Sequence, residues 1–236
     1  MWPFSRKISV GQSGVLDGFR ECHCHLLPGV DDGVKKLEDT LAILAQWEAA
    51  GVKEVWFTPH IMEDIPNTPE ALQKRFQEVL EAYSGGIVLH LAAEHMLDNL
   101  FQVRLERREL LPLWEDRLLV ETSYFNPPLR MEETMEAVQK AGYRPVLAHP
   151  ERYQYMNMAD YRKWKVLGVQ LQLNFPSLVG AYGPEVQAKA EKLLEKGMYD
   201  LAGSDTHSPG FVQYYLEGPL RGKTVRRLKE LFHSQL

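Results

Sequence analysis

ECHCHLLPGVDDG, residues 21–33, is the stretch from which the fold and chemistry of this chain are best read. Side chains alternate between the faces of a strand, so His23 and His25 point one way while Cys22 and Cys24 point the other. Two imidazoles on one face, followed by a Pro-Gly turn and paired aspartates, suit a divalent cation that accepts nitrogen and oxygen ligands. The thiols face away from the histidines, which excludes a structural zinc site. The alternative for this stretch alone is a buried strand with two hydrogen-bonded histidines.

The composition is that of a globular protein without a nucleic-acid-binding surface. The chain has 236 residues, of which 44% are hydrophobic and 25% charged, and a formal net charge of -5. This length allows one large domain or two small ones. The only basic cluster lies around Arg226 and Arg227, and it is interpreted as the solvated face of a terminal helix. We therefore expect no nucleic-acid partner.

No membrane insertion is expected either. Apolar runs are interrupted well before the ~20 residues that a span requires, and the N-terminus lacks the order of a secretion signal. Two cysteines on one strand cannot join distant segments, which fits a reducing compartment. The sequence therefore predicts a cytoplasmic protein.

Short strand-like runs alternate with helical patterns along the chain. After the strand around His23, we expect strands at 54–60, 87–93, 117–120, 144–148, 169–174 and 199–202. The first helix is expected to run from Leu37 to Gly51, and the second to begin with Thr68 as cap and Pro69 in the first turn. The second helix should bury Leu72, Phe76, Val79 and Leu80, and two further helices are expected from Met131 to Gly142 and from Pro184 to Gly197.

Strands alternating with helices predict parallel pairing through right-handed crossovers, and hence an α/β fold. A barrel fits better than an open sheet, because candidate ligands follow six of the seven strands and a closed barrel gathers those ends onto one rim. The expected architecture is a single-domain distorted (β/α)7 barrel over residues 19–236, preceded by an N-terminal extension over residues 1–18.

The candidate ligands share a position where strands lead into loops. Each one alone could cap a strand or pair with an arginine, but core histidines and surface glutamates have no reason to recur at the same end of successive strands. The set therefore predicts a metal site. Its members are His23, His25, His60, Glu94, Glu121, His149, Asp205 and His207.

Arg152 and three histidines lie outside this ligand set. Arg152 lies just past the fifth strand, where its planar fork could meet an anionic substrate; the alternative is an ordinary surface arginine. His90, His95 and His233 fall outside the ligand pattern and are interpreted as structural. The chain has no glycine-rich phosphate loop and no cysteine-nucleophile phosphatase loop.

These residues resemble the PHP metallophosphoesterase superfamily, and specifically its CpsB/CapC branch of bacterial protein tyrosine phosphatases. The resemblance covers about residues 19–235, and it implies a distorted seven-stranded (β/α) barrel with a trinuclear metal site. The motifs that carry it are HCHLLPGVDDG at 23–33, TPH at 58–60, HPERY at 149–153 and GSDTH at 203–207.

The resemblance also assigns roles residue by residue. Arg152 corresponds to the family's phosphate-binding arginine, and Asp205 or His207 is the candidate general acid. Glu21 replaces the family's usual Asp and is expected to adjust packing or bonds behind the ligands. The implied ligand sets are His23, His25, Glu94 and Asp205 for one ion, Glu94, Glu121 and His149 for a second, and Asp32, His60 and His207 for a third.

The implied activity is hydrolysis of protein phosphotyrosine by a metal-activated water, without a protein nucleophile. Mn²⁺ is the favoured cofactor, with Fe or Zn as alternatives, and three ions are expected. The implied partner is a bacterial tyrosine kinase of polysaccharide biosynthesis and export, and a homo-oligomer is left open. Two alternatives are a PHP phosphatase of a small metabolite such as histidinol phosphate, and a silent metal-binding module that recognises a phosphorylated partner.

Overall fold

Strands and helices alternate along most of the chain in this computed structural model, which describes residues 7–114 and 116–234. The strands are β1 (Lys7–Ser9), β2 (Arg20–Cys24), β3 (Glu54–Phe57), β4 (His60–Ile61), β5 (Val88–Leu91), β6 (Glu94–Met96), β7 (Arg117–Glu121), β8 (Arg144–Ala148), β9 (Gln170–Asn174), β10 (Leu201–Gly203) and β11 (Pro219–Arg221). The helices are α1 (Leu37–Ala49), α2 (Pro69–Ala82), α3 (Phe101–Arg107), α4 (Met131–Lys140), α5 (Met158–Val166), α6 (Pro184–Glu195), α7 (Pro209–Glu217) and α8 (Gly222–Ser234).

The central strands are parallel, as the alternation of strands and helices predicts. One sheet has the order β10-β9-β8-β7-β6-β4, and a second has the order β2-β3-β5. The chain steps from the second sheet to the first where β3 leads into β4 and where β5 leads into β6. The protein is therefore a mixed α/β domain with a curled parallel sheet, and the predicted α/β class is confirmed.

β2 of the second sheet and the residues that follow β10 of the first sheet lie side by side. Cys24 forms an isolated parallel bridge with Thr206. The backbone N–H of His25 donates to the Thr206 carbonyl at 2.9 Å, and the N–H of Asp205 donates to the His23 carbonyl at 2.7 Å. Residues that are about 180 positions apart in the chain are thus held side by side.

The predicted strands 54–60 and 87–93 require a correction. The run 54–60 contains β3 and the start of β4, and the run 87–93 contains β5 and stops just before β6. His60 and Glu94 therefore begin β4 and β6 rather than ending the strands before them. Pro59 has no N–H to continue the ladder of β3, while its carbonyl accepts from the Glu94 N–H at 3.1 Å in the new pairing. Because each chain segment changes sheets at this point, His60 and Glu94 belong to the sheet of β4 and β6 rather than to the sheet of β3 and β5.

In helix α2 the predicted cap can be compared with the structure, and so can the predicted buried face. Thr68 caps α2 by accepting from the Ala71 N–H at 3.2 Å, with Pro69 in the first turn, as predicted. Leu80 is 37% exposed, so the expectation that it belongs to the buried face is wrong. Helices α3, α5 and α7 were not predicted, and the capping box that opens α5 is a signal that could have found one of them.

Part of the N-terminal segment packs against the end of the chain. Residues 1–6 lie outside the described residues, but β1 pairs antiparallel with β11. Val10 and Val15 are buried in the same core cluster as the central strands. Phe19 packs on Phe232 of α8 with ring centroids 4.2 Å apart. No helix among the described residues is both long and apolar enough to span a bilayer.

A buried carboxyl joins the HPERY segment to the core. Glu151 is fully buried and accepts hydrogen bonds from the Asn174 N–H at 3.0 Å, the Ser177 hydroxyl at 2.9 Å and the Tyr199 hydroxyl at 3.1 Å. Burial raises its pKa to about 7, although these hydrogen bonds oppose the shift. Glu151 therefore holds the turn that carries Arg152 against β9 and the start of β10.

This carboxyl predicts a pH-dependent stability. Between pH 4.5 and about 7 the unfolded Glu151 loses its proton while the folded one retains it, so the free energy of unfolding should fall as pH rises. The loss should be on the order of 3 kcal/mol. Urea unfolding of Glu151→Gln at pH 5 and pH 8 should show a correspondingly smaller decline, because the amide does not ionise and retains the hydrogen bonds. Glu81→Gln, at an exposed position of α2, is the control; identical pH profiles for Glu151→Gln and the wild type would contradict the assignment.

Candidate metal centre

The structure brings the predicted ligands together at the carboxyl end of the curled sheet. Three groups of side chains each have ligand atoms within 4.8 Å of one another. These groups are His23, His25, Glu94 and Asp205; His60, Glu94 and Glu121; and His25, Asp32, His60 and His207.

The first group is fully enclosed and has the spacing of a coordination shell. His23 Nε2 lies 3.3 Å from His25 Nε2, 3.2 Å from Glu94 Oε2 and 3.4 Å from Asp205 Oδ1. His25 Nε2 lies 3.3 Å from Glu94 Oε2 and 3.2 Å from Asp205 Oδ1. A divalent ion with bonds of about 2.0–2.2 Å holds neighbouring ligand atoms roughly 3.0–3.5 Å apart. The spacing of these four atoms fits such an ion.

Two side chains behind the histidines set the direction of their lone pairs. His25 Nδ1 lies 2.8 Å from Asp31 Oδ2, and His23 Nδ1 lies 3.0 Å from Gln172 Oε1. The Gln172 amide nitrogen donates to the Leu173 carbonyl, so its oxygen is the atom that faces His23. With both Nδ1–H groups donated backwards, each Nε2 presents a lone pair to the other and to two carboxylates. A cation between them removes that repulsion.

The second group contains buried polar atoms without hydrogen-bond partners. His60 Nδ1 lies 3.2 Å from Glu94 Oε2 and 3.0 Å from Glu121 Oε1, and none of the three atoms makes a hydrogen bond among the described residues. Buried polar atoms left without partners are costly. Three of them converging on one point fit a second ion.

His149 stands beside this group. The resemblance places it with Glu94 and Glu121, whereas the structure places His60 there. His149 Nε2 lies 3.0 Å from Glu94 Oε1 and 3.8 Å from Glu121 Oε2. His60 reaches the group because β4 starts a new pairing with β6, which brings it opposite Glu94.

The third group opens to solvent. Asp32 Oδ1 lies 3.6 Å from His60 Nε2 and 3.4 Å from His207 Nε2. The Asp32 side chain is 64% exposed, and His207 stacks on His25 with ring centroids 4.1 Å apart. This group is the predicted set with His25 added, and it forms the mouth of the site.

Electrostatics also favour cations at the centre. Burial lowers the pKa of His23, but the carboxylates of Glu94 and Asp205 outweigh it and raise the pKa to about 9. Burial raises the pKa of Asp205, yet the neighbouring histidines and Arg152 hold it well below the usual range. The carboxylates are therefore ionised at neutral pH, and positive charge is held between them. A metal ion takes the place of the imidazole protons when it binds.

The backbone is shaped around this cluster. His149 and Asp205 have φ values of 34° and 53°, in the left-handed region that non-glycine residues rarely adopt. Such strain is typical of functional sites. Gly203 has no room for a side chain, because a Cβ would lie 2.5 Å from the His23 Cβ and 2.9 Å from a Glu21 oxygen. The Gly203-Ser204-Asp205 segment can approach β2 only because position 203 is glycine.

Glu21 acts behind the ligands, as its position in the first motif predicts. Its two oxygens accept from the Ser204 N–H at 2.9 and 3.1 Å, and one of them also accepts from the His23 N–H at 3.0 Å. Burial raises its pKa to about 7 against these hydrogen bonds. Glu21 therefore fixes the two backbone segments that carry His23 and Asp205.

Arg152 lies at the rim and contacts the cluster. Its Nη1 donates to Asp205 Oδ2 at 2.5 Å, and its guanidinium carbon lies 4.4 Å from the ring centroid of Tyr124 and 4.3 Å from that of Tyr182. The side chain is only 17% exposed, so the alternative of an ordinary surface arginine is wrong.

The three remaining histidines have local partners, in keeping with their structural interpretation. His90 stacks on Trp56 with ring centroids 4.3 Å apart. His95 accepts from the Leu111 N–H at 3.3 Å, and burial lowers its pKa to about 3. His233 is exposed and bonds within α8.

Sequence reasoning missed several residues of the site. Gln172 and Asn174 contact the candidate ligands, and Tyr124 and Tyr182 contact Arg152. Asp31 was expected only as one of the paired aspartates, and its contact with His25 was not predicted. One signal was present: polar residues recur at every second position of β9, which indicates a polar face on an otherwise buried strand. Nothing local marks the two tyrosines.

The curled parallel sheet and its inward-facing imidazoles and carboxylates define an α/β protein with a candidate site for several metal ions. Residues 19–215 match the model of the family described as "Capsular polysaccharide synthesis, CpsB/CapC". The chain belongs to this family.

Two curated relatives are similar over most of their length. Tyrosine-protein phosphatase YwqE of Bacillus subtilis is 26% identical over 195 residues, covering 80% of this chain and 77% of the relative. Tyrosine-protein phosphatase CpsB of Streptococcus pneumoniae is 26% identical over 230 residues, covering 90% of this chain and 94% of the relative.

The fold has a solved counterpart. A crystal structure from work on YwqE of Bacillus subtilis and CpsB of Streptococcus pneumoniae, described as unique metal-dependent tyrosine phosphatases, superposes with a TM-score of 0.76. The two chains are 24% identical, and the match covers 92% of this chain and 95% of the other. The likeness shows the fold.

Asp31 offers a test of the centre that leaves the direct ligands in place. Asp31→Asn weakens the acceptor of the His25 Nδ1–H and removes a buried negative charge, so metal affinity should fall about 10- to 100-fold. Titration of the metal-free protein with Mn²⁺ measures the change. Asp64→Asn, at an exposed position, should bind as the wild type does; equal affinity of Asp31→Asn and the wild type would remove Asp31 from the centre.

Proposed function

We propose that the protein is a metal-dependent phosphatase that hydrolyses phosphotyrosine in proteins. The observation that carries the proposal is the set of inward-facing ligand atoms at the rim, with the Arg152 guanidinium beside it. Relatives named tyrosine-protein phosphatases, 26% identical over most of the chain, support the choice of substrate class. No second function is favoured by a specific observation.

We propose that the strand segments form a closed, distorted (β/α)7 barrel. Counting β3 with β4 and β5 with β6 as single crossing strands leaves seven around the centre, together with β2, β7, β8, β9 and β10. The bridge between Cys24 and Thr206 supports closure between the first and last of them.

We propose three divalent ions at the rim. Mn²⁺ suits a mixed set of imidazole and carboxylate ligands, and Fe or Zn are the alternatives. When bound, such ions supply Lewis acidity and a water of lowered pKa for attack on phosphorus. His149 completes the second set through its contact with Glu94. The proposed ligands are His23, His25, Glu94 and Asp205; Glu94, Glu121 and His149; and Asp32, His60 and His207.

The chain's own residues bind and orient the phosphoryl group. Arg152 donates one N–H to Asp205, and the remaining N–H groups of its fork serve the phosphoryl oxygens. Asp205 Oδ2 accepts from both Arg152 and Asn174, and its pKa lies well below the usual range. Asp205 is therefore ionised and unsuited to donate a proton, and His207, the other candidate acid, can donate one only when its Nε2 does not hold the third ion. A tyrosine leaving group, with a parent pKa of about 10, makes modest demands on it.

The proposed physiological substrate is a bacterial tyrosine kinase of polysaccharide biosynthesis or export, in the cytoplasm. The family description, capsular polysaccharide synthesis, supports this choice of pathway. The thiols of Cys22 and Cys24 are free and buried, which suits a reducing compartment.

Metal removal tests the activity and its substrate class together. Chelation should abolish hydrolysis of a phosphotyrosine peptide, and added Mn²⁺ should restore it, because the proposed hydrolysis depends on a metal-activated water. Turnover of the peptide should exceed turnover of a panel of alkyl phosphates that includes histidinol phosphate. Full activity of the metal-free protein would refute metal dependence, and a strong preference for the metabolite would reassign the substrate.

Arg152 tests phosphoryl recognition separately from metal binding. Arg152→Lys keeps the charge but loses the fork, and Arg152→Ala loses both. The kcat/KM on a phosphotyrosine peptide should fall at least about tenfold in both variants, equivalent to about 1.4 kcal/mol, with lysine giving partial rescue.

Metal content should be that of the wild type in both variants. Arg162→Ala, at an exposed position of α5, is the control for loss of an arginine and should retain full activity. An Arg152→Ala protein with normal metal content and unchanged kcat/KM would remove Arg152 from substrate binding.

A further inference from the structure

Two tyrosine rings flank the guanidinium of Arg152. The guanidinium carbon lies 4.4 Å from the Tyr124 centroid and 4.3 Å from the Tyr182 centroid. These distances are within the range in which a cation is attracted by an aromatic face. Tyr124 follows β7 and Tyr182 precedes α6, so the rings come from segments far apart in the chain.

The Tyr182 ring is fixed to the site by a side-chain hydrogen bond. The Tyr182 hydroxyl accepts from Asn174 Nδ2 at 3.0 Å, and the same Nδ2 lies 3.1 Å from Asp205 Oδ2, which in turn accepts from Arg152. Tyr182, Asn174, Asp205 and Arg152 therefore form a closed circuit of contacts. Rotation of any one member disturbs the other three.

Tyr124 is fastened through its backbone. Its carbonyl accepts from the Gln154 N–H at 2.8 Å, which joins the loop after β7 to the loop that carries Arg152. Burial raises the pKa of the Tyr124 phenol well above its usual value, as it does for Tyr182. Both rings are neutral, so their contact with the guanidinium adds no charge to the ion pair that Arg152 forms with Asp205.

The geometry has a consequence for binding. An arginine side chain has many rotamers, and a mobile residue loses this conformational entropy when it clamps an oxyanion. Rings against the guanidinium remove that freedom before the anion arrives. Asp205 accepts from Nη1, and the other guanidinium N–H groups have no acceptor among the hydrogen bonds described above.

We propose that Tyr124 and Tyr182 are positioning residues that hold Arg152 in its phosphoryl-binding orientation before substrate binds. They act on the anion only through Arg152. The inference deepens the proposed function and rests on it for the identity of the anion as a phosphoryl group, whereas the restraint of Arg152 stands by itself.

A mutant cycle with inorganic phosphate as the probe tests this dependence. In the Mn²⁺-loaded protein, Tyr182→Leu should weaken phosphate binding about fivefold or more, since a cation–π contact contributes about 1 kcal/mol or more when desolvated. Tyr182→Phe keeps the ring and should recover the larger part of the affinity. In an Arg152→Ala background, Tyr182→Leu should cause no further loss, as measured by calorimetry.

A purely structural role would give another result. Tyr143→Leu is the control. Tyr143 precedes β8, whereas Arg152 follows its other end, so this variant should bind phosphate as the wild type does. An equal loss from Tyr182→Leu with and without Arg152, or no loss in either background, would overturn the proposal. If Tyr182→Leu does not fold with normal metal content, Tyr124→Leu provides the same cycle from the other ring.

A second measurement needs neither substrate nor activity. The ¹⁵N relaxation of the Arg152 Nε–H group in the phosphate-free protein should report a rigid side chain, and Tyr182→Leu should loosen it. Arg162, on the exposed face of α5, provides the mobile reference. Wild-type Arg152 as mobile as Arg162 would overturn the proposal. Failure to hydrolyse phosphotyrosine, with a rigid Arg152, would instead overturn only the proposed function.

Discussion

The structure depends on a repulsion that only cations relieve. His23 and His25 face each other with Nε2 atoms 3.3 Å apart, and the carboxylates of Glu94 and Asp205 face the same point. All four groups are buried, so water cannot screen them. Such an arrangement is unfavourable without positive charge inside it, and the surrounding fold holds it in place.

Hydrogen bonds from surrounding residues orient the candidate ligands. Asp31 and Gln172 take the Nδ1–H groups of the two histidines, and Glu21 ties the strand carrying His23 to the segment carrying Asp205. Each of these partners is itself buried and hydrogen-bonded. The ligands are therefore oriented before any ion binds, which reduces the reorganisation needed on metal binding.

The proposed anion site at Arg152 is connected to the same side chains. Asp205 presents one oxygen to the histidine cluster and the other to Arg152 and Asn174. A single carboxylate thus connects the metal centre to the guanidinium at the rim. Asp205 has a left-handed backbone conformation, and Gly203, two residues before it, has no room for a side chain against β2. The position of Asp205 therefore depends on the close contact between residues 203–205 and β2.

The sequence by itself indicated the candidate ligands and the parallel pairing of the strands, because both depend on local order: the alternation along a strand, the Thr68 cap, and motifs at successive strand ends. Tertiary structure decided which candidate ligands lie within reach of one another. His60 joins Glu94 and Glu121 only because the chain breaks at Pro59 and re-pairs with another sheet. Gln172 and the two tyrosines around Arg152 likewise escaped prediction, and Asp31, expected only as one of the paired aspartates, is the partner of His25 Nδ1. Their contacts join segments brought together by sheet curvature and register, which no local pattern encodes.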